Sequence, residues 1–347
     1  MVDSSLVPTS LAACLAMTPA DMAAVSPVVQ DNWRYLLTMA GKIQDDGLRE
    51  KITALLDNPA PSFLTLYGPA ERKEMKRLFL KRGYISEKTT NETLFPPGSP
   101  ARAPQPFWTA PGSNYYRHHP YPGGLAVHTA INLRTAWKLA HSYAETYSCE
   151  IDYDTVIAAQ ILHDAMKPWV LQWKPDGSVL SQIKIGRTGG HHVLGLSEAL
   201  YRGIPFEVVV AQACTHSYPT GARQREEVES WLTAACLLAG KDPAREGWTQ
   251  KRRIWLPADN RLEWYISHMG DYGWLVSIPT ARLLIDKLER LAVECYGMKE
   301  ADLATGLFYS FRNYVLSQAT EVGLYQAYLR QGDAGFKQMV TGIVIPE

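Results

Sequence analysis

An all-α fold is predicted by three features of the sequence. Apolar residues recur at spacings of three and four along most of the chain, which is the signature of one buried helix face. Strand-like alternation is confined to one short stretch, and the periodic runs are separated by segments rich in Pro and Gly. With 46 % hydrophobic residues spread over 347 positions, the chain can bury a sizeable core.

Taken in order, Trp33, Leu36, Leu37, Ala40, Ile43, Leu48, Ile52 and Leu55 keep helical spacing between Val28 and Leu56, and a second amphipathic run covers Ala70 to Arg82. Between Gly83 and Gly112 the prolines Pro96, Pro97, Pro100, Pro104, Pro106 and Pro111 cannot sustain a helix, so this segment is expected to lie extended on the surface. Helices are then expected over Leu125–Tyr147, Asp152–Asp164, His191–Tyr201, Pro205–His216, Glu226–Leu238, Leu262–Leu275, Thr280–Tyr296 and Ala301–Leu329. The one expected β-hairpin pairs Trp169–Lys174 with Val179–Ile185 across Pro175-Asp176-Gly177-Ser178, whose Asp-Gly is a strong turn signal.

Charge excludes some functions. Lys plus Arg equals Asp plus Glu at 35 each, so no global field draws the chain onto nucleic acid or an anionic membrane, and affinity for phosphate must be local. The five cysteines show no CxxC spacing, arguing against a disulfide framework and a thiolate zinc site; they read as buried thiols in a reducing cytoplasm. Leu11-Ala12-Ala13-Cys14 has the look of a lipoprotein cleavage box, but no Lys or Arg precedes it and Asp3 does. No apolar run approaches the length needed to span a bilayer, so a cytoplasmic protein is expected.

Histidine carries the chemistry. Eight of the nine histidines lie between His118 and His216, with His268 beyond them. Imidazole suits ions such as Zn, Fe and Ni, carboxylate suits Mn and Mg, and a mixed His/Asp set accepts a wide range. The strongest word is Leu162-His163-Asp164-Ala165-Met166-Lys167, where an apolar helix meets Pro168. Neighbours on a helix point about 100° apart, so His163 can bind one ion while the two oxygens of Asp164 bridge to a second.

These residues and their flanks resemble the HD superfamily of metal-dependent phosphohydrolases. Gly123-Gly124-Leu125-Ala126-Val127-His128-Thr129 resembles its first-ligand segment and His163-Asp164 its doublet with the trailing Lys167. Gly190-His191-His192-Val193-Leu194-Gly195 and Thr215-His216-Ser217 resemble its two inserted histidines, and His268-Met269-Gly270-Asp271 its closing aspartate. The likeness covers roughly residues 108 to 290. Within the superfamily it is nearest HD-domain 3′→5′ exoribonucleases, through Ala110-Pro111-Gly112-Ser113 and His118-His119-Pro120-Tyr121-Pro122-Gly123-Gly124. Those nucleases carry an OB-type barrel, whereas residues 1–82 here read as helical, and their His-His-Gly is His216-Ser217-Tyr218 here.

The resemblance implies an HD helical array with a metallohydrolase core at 108–297, a helical N-terminal lobe with its Pro-rich segment at 1–107, and a C-terminal helical extension at 298–347. It implies two divalent ions (Mn, Fe, Ni, Mg, Co or Zn), one held by His128, His163, Asp164 and Asp271, the other by His191, His216 and the bridging Asp164. Asp164 and Lys167 would be catalytic, the lysine placing its ammonium against a phosphate oxygen. Arg117, His118 and His119 are expected either to line the substrate mouth or to form a turn that caps the following helix, and His192 is a further substrate-binding candidate. His268, three residues before Asp271, is expected either to orient a ligand or to pack.

Some side chains receive ordinary readings: His141 as a packed imidazole, Trp169, Trp173, Trp231, Trp264 and Trp274 as core, and Glu226-Glu227 and Lys251-Arg252-Arg253 as solvated faces. The expected activity is hydrolysis of a small phosphomonoester or phosphodiester of nucleotide type. Long nucleic acid is disfavoured as a partner, and the oligomeric state is left open. A mixed-valent di-iron oxygenase on the same scaffold is the alternative; a silent nucleotide-binding module is weakened because no expected ligand is missing.

Overall fold

A computed structural model describes residues 8–250, 253–254, 256 and 261–346. Within them helices dominate, as expected, and all strands are two residues long. The N-terminal part holds α1 (Leu11–Ala16), α2 (Pro19–Ala24), α3 (Pro27–Ala40), α4 (Asp46–Asp57), α5 (Pro69–Lys81) and the single turn α6 (Asn91–Leu94). The periodic run from Val28 to Leu56 is therefore two helices. It breaks after Gly41, and α4 restarts with Asp45 as its N-cap, the side chain accepting from Leu48 N at 2.7 Å.

The body comprises α7 (Gly124–Tyr147), α8 (Tyr153–Leu162), the short α9 (Lys167–Val170), α10 (Gly190–Tyr201), α11 (Phe206–His216), α12 (Ala222–Leu238), α13 (Leu262–Gly270) and α14 (Trp274–Tyr296). Helix α15 (Gly306–Ile343) is interrupted by non-helical backbone at Thr320, Gln331 and Gly332. One cluster of buried side chains runs from Leu36 and Phe63 through Leu125, Ile161 and Val209 to Trp264, so the N-terminal helices and the body share a core. Glu198 on α10 ties them together: fully buried, it accepts from Ser62 Oγ at 2.5 Å, Phe63 N at 3.1 Å and Arg202 Nε at 2.5 Å. A second cluster packs Cys14, Met22, Val29 and Tyr121 against α14 and α15.

Three expectations need correction. The Pro-rich segment is not purely superficial, because Leu94, Phe95 and Phe107 are fully buried and Trp169 Nε1 donates to Pro96 O at 3.1 Å. The Asp-Gly hairpin shrinks to a single bridge between Trp173 and Val179, since Trp169 and Val170 belong to α9. The actual hairpin is β2 (Lys184–Ile185) with β3 (Thr188–Gly189), closed by Gly186 and Arg187, both in the left-handed region at φ 60 and 70, the sign pattern of a type I′ turn. Thirdly, only Cys14, Cys214 and Cys236 are buried; Cys149 and Cys295 are half-buried, and all five are free.

Two further strand pairs were not expected: Thr9–Ser10 alongside Val344–Ile345 in parallel, and Thr249–Gln250 antiparallel to Arg253–Ile254. Lys251 and Arg252 of the basic triplet lie outside the described residues. Among the described residues, no helix is long and apolar enough to cross a membrane.

Candidate metal centre

The helix ends that matter are brought together by close backbone approaches and buried amides. At the start of α7, Gly123 has φ 81 and a Cβ there would stand 2.4 Å from Val29; a Cβ on Gly124 would stand 2.1 Å from the His119 carbonyl oxygen. Only glycine allows α3 to close on Gly123, and the 112–119 loop on Gly124, at the start of the helix that carries His128. On α8, Gln160 Nε2 donates to Ser267 O of α13 at 2.6 Å, and Gly270 leaves the room this needs, a Cβ there falling 2.6 Å from the same amide. Gln212 Nε2 of α11 donates to Leu162 O at 3.0 Å beside Gly195 of α10. These ties converge α7, α8, α10, α11 and the α13–α14 junction on one point.

Six side chains meet there. His128, His163, Asp164, His191 and Asp271 are buried and His216 nearly so. Asp164 Oδ2 lies 3.1 Å from His128 Nε2 and 3.3 Å from His163 Nε2, while its Oδ1 lies 3.0 Å from His191 Nε2 and 3.9 Å from His216 Nε2. Asp271 closes the arrangement, Oδ1 standing 3.3 Å from His128 Nε2 and Oδ2 3.8 Å from His216 Nε2. The donors thus fall into two groups that share Asp164 through opposite oxygens. Atoms bound at about 2.1 Å around one ion stand about 3.0–3.4 Å apart, so most of these spacings match a coordination shell.

The hydrogen bonds fix which ring nitrogens face inward. His163 Nδ1 lies 2.6 Å from Gln160 O, a pure acceptor, so Nδ1 carries the proton and Nε2 presents a lone pair. Gln182 Oε1 must accept from the backbone N–H of His191, so it also accepts from His191 Nδ1 at 2.6 Å, again leaving Nε2 as a lone pair. These lone pairs point at a carboxylate whose Oδ2 faces the Lys167 ammonium at 2.5 Å and whose Oδ1, the oxygen nearest His191, has no hydrogen-bond partner. Acceptors facing acceptors in a buried site call for a cation between them. Burial lowers His191 to about 4 and His216 to about 3, so both imidazoles are neutral at neutral pH, the form that can bind a metal. Asp271, despite the upward push of burial, is held down at about 2 by the His128 hydrogen bond and neighbouring imidazoles. Burial works against a charged His163 too, but Asp164 outweighs it and raises its pKa.

Comparison with known proteins adds one relative. Over 181 residues the chain is 28 % identical to the dihydroneopterin 2′,3′-cyclic phosphate phosphodiesterase of Methanocaldococcus jannaschii, a match covering 52 % of this chain and 58 % of that protein. The chain therefore spans little more than half of that relative's length. No family model matches the chain, and no solved structure matches it.

The remaining candidates sort unevenly. Lys167 Nζ stands 2.5 Å from Asp164 Oδ2 and donates to Gly112 O at 2.5 Å, on the wall of a cavity of about 550 Å³ that opens over the donors. Arg117 and His118 line that cavity, but His119 does not: it turns inward, its backbone N–H donating to Glu321 Oε1 at 2.8 Å and its ring against Tyr121 Oη at 3.1 Å. His192, a substrate-binding candidate by sequence, stacks on His216 with ring centroids 3.3 Å apart and stands among the possible ligands with Asp164 and His191. His268 Nδ1 bonds Thr215 O at 3.0 Å, and no hydrogen bond joins it to any of the six side chains. His141 is satisfied by Trp137 O at 2.8 Å.

Sequence reasoning missed Gln182 and Asn132 and misplaced Trp274. Asn132 Nδ2 donates to Asp271 Oδ1 at 2.8 Å and lies 3.2 Å from His128 Nε2; its place four residues after His128, on the same helix face, was the available signal. Trp274, expected in the core, is 37 % exposed and lines the cavity beside Tyr272.

Proposed function

We propose that this chain is a metal-dependent phosphohydrolase of the HD type, cleaving a phosphodiester or phosphomonoester of a small nucleotide-like molecule at a dinuclear centre. The observation that carries the reading is the pair of inward-facing donor groups sharing Asp164 through opposite oxygens. The phosphodiesterase activity of the archaeal relative supports the phosphoester class. A cavity of about 550 Å³ suits a small molecule rather than a strand, and the exposed rings of Tyr272 and Trp274 on its wall offer a surface for a planar base.

His128, His163, Asp164 and Asp271 would hold one ion, and His191, His216 and Asp164 the other, with His192 close enough to join the second. When bound, such ions polarise phosphoryl oxygens and make water a nucleophile near neutral pH. The chain's own residues do the rest. Gln160 O and Gln182 Oε1 hold the rings of His163 and His191 so that Nε2 faces inward. Asn132 fixes the Asp271 carboxylate through Oδ1. Lys167 balances the Asp164 charge from the cavity wall, where its ammonium also stands to meet charge developing on phosphate.

The test is metal stoichiometry by mass spectrometry after loading with Mn, Fe(II), Ni, Co, Mg or Zn, paired with hydrolysis of 2′,3′-cyclic nucleotides, dihydroneopterin 2′,3′-cyclic phosphate, bis(p-nitrophenyl) phosphate and nucleoside monophosphates. Two bound ions and turnover of at least one ester are expected. A metal-loaded protein inert towards the whole panel overturns the reading.

A further inference from the structure

We infer that the β2–β3 hairpin is a second anion subsite, so that the preferred ligand carries a phosphate or other anionic group in addition to the one at the metal donors. This rests on the phosphohydrolase reading for what occupies the donor end of the cavity. The hairpin itself supplies the argument for the other end. Lys184 and Arg187 are exposed, both line the cavity, and neither has an ion-pair partner among the described residues; Arg117 on the opposite loop is in the same position. Three free cations around one cavity mouth, in a chain of zero formal net charge, form a local positive field where the sequence as a whole offers none.

The placement is built rather than incidental. Arg187 occupies a left-handed conformation, φ 70, at a turn position usually taken by Gly, Asn or Asp. Its turn is pinned to the core from two sides: Gly186 N donates to Tyr84 O at 2.8 Å and Trp231 Nε1 donates to Gly186 O at 2.9 Å. Alternation does the rest, since Ile185 is fully buried and its neighbour Lys184 is thereby turned outwards. The same segment also sets the donor end, because Gln182 orients His191 and Thr188 bonds His192. A ligand's two anionic groups would therefore be measured against one rigid element.

The experiment is calorimetric titration of the full-length, Mn-loaded protein with adenosine 3′,5′-bisphosphate and with adenosine 3′- and 5′-monophosphates. Binding needs no turnover, so the outcome is independent of whether hydrolysis is found. The bisphosphate is expected to bind about tenfold more tightly than either monophosphate, a preference that shrinks as salt rises. In Arg187→Asn combined with Lys184→Gln the ratio should fall towards one; Asn tolerates the left-handed backbone, so the turn is kept while the charge is lost. A wild type without preference, a double variant with the full preference, or failure of all three adenylates to bind overturns the inference. Preferential binding without hydrolysis of any ester would leave the subsite standing and overturn the hydrolytic reading instead.

Discussion

The imidazole of His128 has two sides, and they make opposite use of similar residues. In front lie His163, Asp164 and Asp271; behind lies His119, its ring 5.4 Å from His128, with Glu321 and Tyr121 beyond, while His118, 4.5 Å away, also reaches the cavity. Both sides hold imidazoles, a carboxylate and a neighbouring hydroxyl or amide, and both bring three donor atoms within reach of a common ion. The difference is hydrogen-bond arithmetic. Behind, the match is partial: the His119 N–H donates to Glu321 Oε1, while Oε2 and His118 Nδ1 lack a partner, and burial pushes the Glu321 carboxyl up to about 7, so that it can hold a proton of its own. In front, the Nε2 lone pairs of His163 and His191 face the Asp164 carboxylate, Lys167 and Asn132 reach only one oxygen each of Asp164 and Asp271, and a cavity opens over the group. A cluster of ligand-type residues points to a cation when its carboxylates are held deprotonated, as Asp271 is at about 2, and less so when its carboxyl can carry a proton, as Glu321 can.

The largest expected effect follows from the shared donor. Asp164→Ala removes the carboxylate common to both groups, so metal content should fall below one ion per chain and hydrolysis by about three orders of magnitude or more. His119→Phe, on the other side of His128, should leave the number of bound ions as in the wild type. Metal analysis of the two purified variants beside the wild type checks this; a lost ion in the His119 variant would move the centre to the back wall.

How far the sequence disclosed this difference depends on how local each signal is. Helices were legible because a three-to-four spacing is written in consecutive residues, and the candidate donors were legible because His163-Asp164 follows directly on one of them. What was not legible required knowing what lies opposite. His119 follows His118 directly, yet a backbone in the left-handed region, φ 51, sends it towards Glu321, more than two hundred residues away. Asp176-Gly177 is a stronger turn word than Gly186-Arg187, but α9 takes up one arm of the expected hairpin, while Trp231 and Tyr84 hold the other turn in place. Trp274 has core-like spacing, and only the cavity left beside it keeps it exposed.

Glu321 gives the next effect. Its folded pKa of about 7 lies above the ordinary 4.5, so between those values the unfolded chain releases a proton that the folded chain keeps. Its contribution to stability is therefore complete below pH 4.5 and is lost as pH rises through about 7, a change of about 3 kcal/mol. In Glu321→Gln this portion of the pH dependence should vanish, because the amide does not titrate. Denaturant melts of the metal-free proteins at intervals from pH 4.5 to 7.5 provide the measurement, and parallel curves for wild type and variant would show that the back wall is not a proton-holding site.

The smallest effect sharpens the comparison from the front. Gln182 touches no ion in the proposed arrangement, yet its Oε1 fixes the His191 ring from both the backbone and Nδ1. Gln182→Ala frees the ring to rotate and to carry its proton on Nε2, where it can no longer act as a ligand. Partners of this kind are typically worth 10–100-fold in metal affinity, and about tenfold is expected here because Asp164 and His216 still hold the same ion. The loss should fall on one ion of the two, the one on the Asp164 Oδ1 side. Competition with a chelator, read as two separate release steps, distinguishes this from general loosening: the first step should move to lower chelator concentration while the second stays with the wild type. If both steps moved together, the two groups would be a single site, and sharing Asp164 between them would have no energetic meaning.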